Sequence, residues 1–230
     1  MKTFLILAAG RGSRFGGDKL LEPINGSTLP QRCALFALAN GAERLCVTVS
    51  RSSVLTNGNA IYHPVVEDIR RVVDNQIDVE VSFQAPDCYG PGAAITAWEG
   101  KISDDFIVLF GDNLYEGFLP SFDPLITHFS YKTLPTHPRN LQLAAVIDDY
   151  IIEKPHAQLS GKFFCGFAHF PIGFFDQLPA MQRSSRDEYE ITDMLNLAKM
   201  RAPMDLGTMG IKWADITYKS DLQTLEDMTL

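Results

Sequence analysis

Long apolar runs are missing from this chain. The run at its start, Phe4 to Ala9, covers six residues, whereas a membrane-spanning helix takes about 20. It begins too near Met1 for a secretory leader, with one Lys before it and Gly-Arg after it. A cytoplasmic protein with no membrane partner is therefore expected. Cysteine is scarce. Cys33, Cys46, Cys88 and Cys165 include no CxxC pair, which removes zinc-ribbon and thioredoxin-type chemistry, and they read as reduced thiols. The five histidines, His63, His128, His137, His156 and His169, lack HxxxH and HExxH spacing. Basic charge is short too. The chain has 20 Lys plus Arg against 28 Asp plus Glu, a formal net charge of −8. That balance excludes the basic footprint of a nucleic-acid binder but leaves room for a small anionic ligand held by a few local cations. There is no internal repeat and no low-complexity tract. What is present, 46% hydrophobic and 21% charged residues over 230 positions, is ordinary globular composition, and no linker-like stretch divides it.

The first 110 residues alternate. Residues 3–8 are apolar without interruption, as in a strand buried on both faces. Residues 28–40 predict a helix capped by Ser27 or Thr28 and stopped at Asn40-Gly41. Leu45–Val49 predicts a strand, 64–75 a helix opened by Pro64, Val79–Phe83 a strand, 91–100 a helix opened by Pro91, and Phe106–Phe110 a strand. Strand and helix in turn predict a parallel sheet with helices on both faces. In the second half, Leu141–Ile147, Tyr150–Glu153, Phe163–Phe170 and Ile211–Tyr218 predict strands. Gly173–Leu178, Ile191–Met200 and Ser220–Met228 predict helices, and 130–140 a loop.

The densest signal is the segment Leu7-Ala-Ala-Gly-Arg-Gly-Ser-Arg-Phe-Gly-Gly-Asp-Lys-Leu-Leu21. Glycines let consecutive backbone N–H groups approach a ligand. Arg11, Arg14 and Lys19 add positive charge at the carboxyl end of a strand, where open α/β sheets bind ligands. A phosphate chain fits that combination. A P-loop is excluded, because Asp18 separates Gly17 from Lys19 and Leu20 replaces the hydroxyl. A dinucleotide loop is excluded in strict form, since position 15 is Phe. A looser GxGxxxG at Gly10, Gly12 and Gly16 remains, with Arg51 placed for a 2′-phosphate and Tyr150 and Lys154 in YxxxK spacing. That NADP-dependent reductase alternative needs Tyr150 and Lys154 on a helix, and Tyr-Ile-Ile-Glu-Lys-Pro reads as a strand end.

The segment Leu7 to Gly16 resembles the signature loop of sugar-1-phosphate nucleotidyltransferases. Five further segments are similar to motifs of the same family in the same order: Phe110-Gly-Asp-Asn113, Glu153-Lys-Pro155, Cys165-Gly-Phe-Ala-His-Phe170, Glu190-Ile-Thr-Asp193 and Trp213-Ala-Asp215. The short spacing from Arg14 to Lys19 is also similar to cytidylyltransferases of the molybdenum-cofactor type. The resemblance implies an α/β, Rossmann-like (GT-A-like) three-layer sandwich with a mostly parallel central sheet and a small β-rich sugar-binding lobe. It implies one nucleotidyltransferase domain over 1–230, with a nucleotide-binding half at about 1–112 and a sugar-binding half at about 113–230.

The implied reaction condenses an NTP, dTTP or UTP in preference, with a sugar-1-phosphate to give a nucleotide sugar and pyrophosphate, with Mg²⁺ as cofactor. A cytidylyltransferase acting on phosphocholine or another small phosphorylated acceptor is the alternative within this chemistry. The resemblance assigns Arg14, Lys19, Asp112 and Lys154 to catalysis and Asp112 with Asp215 to the metal. Carboxylates on two strand ends suit Mg²⁺, which takes one or two of them plus phosphate oxygens. It assigns Leu7, Ala8, Ala9, Gly10, Arg11, Gly12, Gln84, Gly90 and Gly111 to the nucleotide, and Glu153, Lys154 and Gly166 to the sugar. Asp193 reads as a partner of a helix N-terminus, and Trp98 and Trp213 as core. A monomer or a homo-oligomer is equally compatible with the sequence.

Overall fold

Strand β1 (Thr3–Ala8) is buried along its whole length. Phe4, Ile6 and Ala8 enter one apolar core and Leu5 and Leu7 the other, which is the two-fold alternation of a strand covered on both faces. The computed structural model describes the chain apart from residues 11–14, 16–17, 52–54, 58–59, 179, 202, 209 and 223–230, and only the backbone of 55–57 and 60–62.

The chain continues through α1 (Leu29–Ala39), β2 (Arg44–Ser50), β3 (Leu55–Asn57), β4 (Ala60–Tyr62), α2 (Pro64–Val73), β5 (Val79–Gln84), α3 (Pro91–Thr96) and β6 (Phe106–Phe110). Then come β7 (Asn113–Glu116), β8 (Thr127–Leu134), β9 (Ala145–Ile147), β10 (Tyr150–Ile152) and β11 (Gly161–Phe170). It ends with α4 (Phe174–Gln177), α5 (Ile191–Lys199), β12 (Met204–Gly207) and β13 (Lys212–Asp215). Thr28 caps α1 in a reciprocal box with Gln31, as residue types at that spacing predict.

Among the described residues the main sheet has nine strands. Its parallel part runs β5-β2-β1-β6. Antiparallel β11 extends it beyond β6, β8 pairs with β11, β12 runs parallel to β8, and the β9–β10 hairpin joins the start of β11. Helices α1 and α2 cover one face, and α3 and α5 the other. The three-layer α/β class with a mostly parallel sheet is borne out. A separate two-stranded ladder, β7 with β13, sets Asn113 directly opposite Asp215.

This strand order places the site. The chain leaves β1 toward β2 and β5, then returns through α3 to β6 on the other flank of β1. The carboxyl ends of β1 and β6 are therefore a topological switch point, where a crevice opens. Gly10 follows one and Asp112 the other.

Three expectations for the second half need correction. Leu141–Ile147 is not one strand. Pro138 opens a 3₁₀ turn over Pro138–Gln142, His137 Nδ1 accepts from Arg139 N at 3.1 Å, and pairing starts only at Ala145. The loop expected over 130–140 gives up its first part to β8, because Tyr131–Leu134 pairs with Gly161–Phe164. Ile211–Tyr218 is a strand only over Lys212–Asp215. Helix α3 is shorter than 91–100, and most of the helix expected at Ser220–Met228 lies outside the described residues. Tyr150 lies on β10 and Lys154 has φ +44°, so the helix that the reductase alternative requires is absent there.

One contact ties the second half to the loop before α3. Tyr189 N donates to Tyr89 O and Gly92 N donates to Tyr189 O, both at 2.7 Å. Gly90 has φ +109°, and a Cβ there would lie 2.5 Å from Tyr189 O. Gly90→Ala should therefore cost about 1–3 kcal/mol of stability from backbone strain, with more from the clash. A urea midpoint unchanged from wild type would contradict this packing.

Candidate active site

The floor of the crevice is a chain of charged and amide groups. Lys19, its side chain nearly buried, donates to Asp112 Oδ2 at 2.8 Å. Asn113 Nδ2 donates to Asp112 Oδ1 at 3.0 Å and to Asp215 Oδ1 at 3.3 Å. Trp213 Nε1 donates to Asn113 Oδ1 at 2.6 Å, and Thr217 Oγ1 donates to Asp215 Oδ2 at 2.5 Å. Burial pushes the Asp215 carboxyl up, and the nearby Asp112 charge pushes it the same way. The paired strand ends of β7 and β13 set these two carboxylates side by side.

On one side of this floor lies a pocket of about 650 Å³ including space open to solvent, lined by Leu7, Ala9 and Gly10 after β1, by Lys19 and Leu20, and by Gln84, Tyr89, Gly90 and Pro91. Gln84, at the end of β5, is buried and donates from Nε2 to Gly90 O at 2.9 Å. The other side is wider, about 1430 Å³ including space open to solvent. Its wall carries Glu153, Lys154, Gly166, Arg186, Glu188 and Glu190. The Arg186 guanidinium lies 2.7 Å from Glu190, 3.3 Å from Glu153 and 3.3 Å from Glu188, and Lys154 lies 3.6 Å from Glu153. Burial raises the Glu153 carboxyl from an ordinary value near 4.5 to about 7. Arg186 opposes the shift, while Glu190, Glu188 and Asp193 add to it.

Most residues singled out in the sequence meet here. Lys19 and Asp112 line both pockets; Leu7, Ala9, Gln84 and Gly90 line the first; Glu153, Lys154, Gly166 and Asp215 line the second; Gly10 lines both. Ala8 instead points into the core beneath α1. Gly111 holds the sheet together: its N donates to Leu7 O at 2.9 Å, and a Cβ there would lie 2.8 Å from that oxygen. Gly166 has φ +61°, with the Phe110 ring 2.9 Å from where a Cβ would stand, and its carbonyl accepts from Tyr115 Oη at 2.8 Å. Arg11, Gly12 and Arg14 lie outside the described residues. Asp193 sits in the first turn of α5, as expected of a helix-dipole partner.

Sequence reading passed over Asn113, Thr217 and Arg186, and gave Trp213 only a core role. Asn113 was in view as part of Gly-Asp-Asn, but its link to Asp215 spans 102 positions. Arg186 sits in the charge-dense run Arg183 to Glu190, which reads as surface.

A crevice at a parallel-sheet switch point, with an ammonium and two carboxylates on its floor, is the kind of place and donor set that α/β phosphate-transferring enzymes use. Residues 4–113 match the MobA-like NTP transferase domain family. The chain is 24% identical, over 96% of its length and 94% of the relative's, to the UTP–glucose-1-phosphate uridylyltransferase AglF of Haloferax volcanii. Its fold is similar to a UDP-glucose pyrophosphorylase solved with UDP-glucose, with a TM-score of 0.75 at 19% identity, covering 99% of this chain and 98% of that one. It is also similar to a Bacillus anthracis structure named for a glucose-1-phosphate thymidylyltransferase, with a TM-score of 0.74 at 18% identity, covering 99% and 95%. The nucleotidyltransferase resemblance is borne out. Among the described residues no helix is long and apolar enough to cross a membrane.

The raised Glu153 carboxyl has a consequence for stability. A carboxyl near 4.5 in the unfolded chain and about 7 in the folded one ionises first in the unfolded chain as pH rises, so stability falls between those values. Glu153→Gln should flatten that fall. Parallel melting curves of variant and wild type from pH 4.5 to 7.5 would count against the assignment.

Proposed function

We propose that this protein is a Mg²⁺-dependent nucleotidyltransferase that joins UTP or dTTP to a sugar-1-phosphate and releases pyrophosphate. The observation that carries this is the Lys19–Asp112–Asn113–Asp215 cluster, in which Lys19 and Asp112 line both the pocket at the β1 end and the one walled by Glu153 and Arg186. The relatives' names support the choice of a uridylyl or thymidylyl transfer to a hexose phosphate.

Asp112 and Asp215 would hold the metal. The fit is good: both are hard oxygen donors, and one amide brings them together. Mg²⁺ takes one or two carboxylates and completes its shell with phosphate oxygens and water. Mg²⁺ bound there would neutralise phosphate charge and polarise the α-phosphorus.

The reaction is an in-line displacement. An acceptor phosphate oxygen forms a bond to the α-phosphorus, the α–β bridging P–O bond breaks, and pyrophosphate leaves. No covalent enzyme nucleophile is needed, so positioning and charge do the work. Lys19 turns from Asp112 to the leaving phosphates, a role that the family resemblance also gives to Arg14 and Arg11. Leu7, Ala9, Gly10 and Gly12 supply backbone to the nucleotide. Gln84, fixed by its bond to Gly90, reads the pyrimidine edge with a carboxamide that tells donor from acceptor. Lys154 and Arg186 meet the acceptor phosphate, and Glu153 accepts from acceptor hydroxyls.

Asp112→Asn should lower turnover by at least about a hundredfold, as loss of a central charge-stabilising group does, with the melting temperature kept. A panel of the four NTPs against hexose-1-phosphates and phosphocholine, read by pyrophosphate release, tests the reading. UTP or dTTP with a hexose-1-phosphate is the expected pair. CTP with phosphocholine would move the assignment to the alternative acceptor, and no pyrophosphate from any pair would sink it.

A further inference from the structure

Two carboxylates aimed at one point repel each other until a cation arrives, and something in the chain must hold them there. The geometry points to Asn113, oriented by Trp213, as the positioning residue that assembles the Asp112–Asp215 pair in advance of the metal. This rests on the metal role given to that pair under the proposed function.

The amide stands at the right place. Asn113 and Asp215 are directly opposite in the β7–β13 ladder, and Trp213 lies two residues before Asp215 on the same face. Asn113 is 4% exposed, so its amide has no water to turn to. Its Nδ2 group carries two hydrogens, and one goes to each carboxylate, at 3.0 and 3.3 Å. The opposite oxygen of each carboxylate has a different partner, Lys19 for Asp112 and Thr217 for Asp215. The oxygens that face Asn113 are thereby fixed relative to one another.

The orientation of the amide is not left to chance. An indole nitrogen can only donate, and an ionised carboxylate can only accept. With Trp213 Nε1 at 2.6 Å on one side, the amide oxygen must face the indole and the amide nitrogen must face the carboxylates. Space around the oxygen is tight: a Cβ on Gly166 would come within 3.0 Å of Asn113 Oδ1. Replace the indole N–H by carbon and the amide oxygen loses the donor that anchors it, so the amide is held from the carboxylate side alone and is free to tilt between them. Of the ordinary side chains of this size, Asp would add a third negative charge and Leu would supply no donor. Trp213, half of whose role reads as core packing, thus acts on the site through Asn113.

The test measures metal binding directly. Mn²⁺ is titrated into the full chain, with and without UTP, and the free ion is read by electron paramagnetic resonance. Asp112→Asn marks the loss of the site. Trp213→Phe, which keeps the ring, and Asn113→Ala should each weaken Mn²⁺ binding by about 10–100-fold, the usual effect of removing a group that orients metal ligands. In parallel, the indole ¹H–¹⁵N signal of Trp213, assigned with Trp213→Phe, should move upfield in Asn113→Ala as its acceptor is lost. Wild-type Mn²⁺ affinity in Trp213→Phe would overturn the proposal, and this variant decides alone if Asn113→Ala does not fold. An unmoved indole signal in folded Asn113→Ala would overturn the orienting bond. If wild type takes up no more Mn²⁺ than Asp112→Asn, even with UTP, the metal reading itself falls and this inference with it.

Discussion

The arrangement depends on one electrostatic problem: Asp112 and Asp215 meet, partly buried, on the floor of one crevice. Asp215 is partly buried, and both that burial and Asp112 push its carboxyl up. The fold meets this with one ammonium and one amide, Lys19 on Asp112 and Asn113 on both. Everything else about the position follows from topology. Asp112 comes from the end of β6, Asp215 from the end of β13, and Lys19 from the segment after β1. A sheet in which successive strands are added first on one flank of β1 and then on the other, with β6, is what lets these distant stretches converge.

The wall of Glu153, Arg186, Glu188 and Glu190 repeats the problem in another form. Glu153, Glu188 and Glu190 share Arg186, and Lys154 supports only Glu153. Three acids face two cations, and Glu153, raised by burial, holds its proton up to about pH 7, which evens the balance below that pH. The wall is tied by the Tyr89–Tyr189–Gly92 backbone bonds, which hold the 188–190 segment against the loop before α3. Glycine at 90 is required because that backbone comes within a Cβ's reach.

Much of this was legible in the residues. The parallel half was, because β1, β2 and β6 are buried on both faces and so read as unbroken apolar runs. Strands β8 and β12 were not, since Tyr131–Leu134 and Met204–Gly207 are polar or mixed and become strands only through distant partners. Leu141 and Gln142 have strand-like neighbours, yet Pro138 and the side chain of Asn140, bonded to Pro135 O and Leu159 O, impose a turn. At the site, Lys19, Asp112, Glu153 and Asp215 carried local signals: a cationic glycine loop, Gly-Asp after a strand, Glu-Lys-Pro, Trp-x-Asp. Asn113, Thr217 and Arg186 did not, because their significance lies in pairs formed across the fold or in a run of charges that looks solvated.

An acidic protein that handles polyphosphates has to reserve its cations. Among the described residues lining the crevice, the cations are Lys19, Lys154 and Arg186, and each is already paired with a carboxylate. On the proposed function, substrate entry is then an exchange of anions. Phosphate oxygens take the place of carboxylates on Lys19, Lys154 and Arg186, while the carboxylates released turn to the metal and to acceptor hydroxyls. Exchange of this kind keeps every charge compensated before and after binding, which matters most where desolvation makes an unpaired ion expensive. A net charge of −8 is compatible with that scheme because selectivity comes from which pairs can be exchanged, and not from the sign of the surface as a whole.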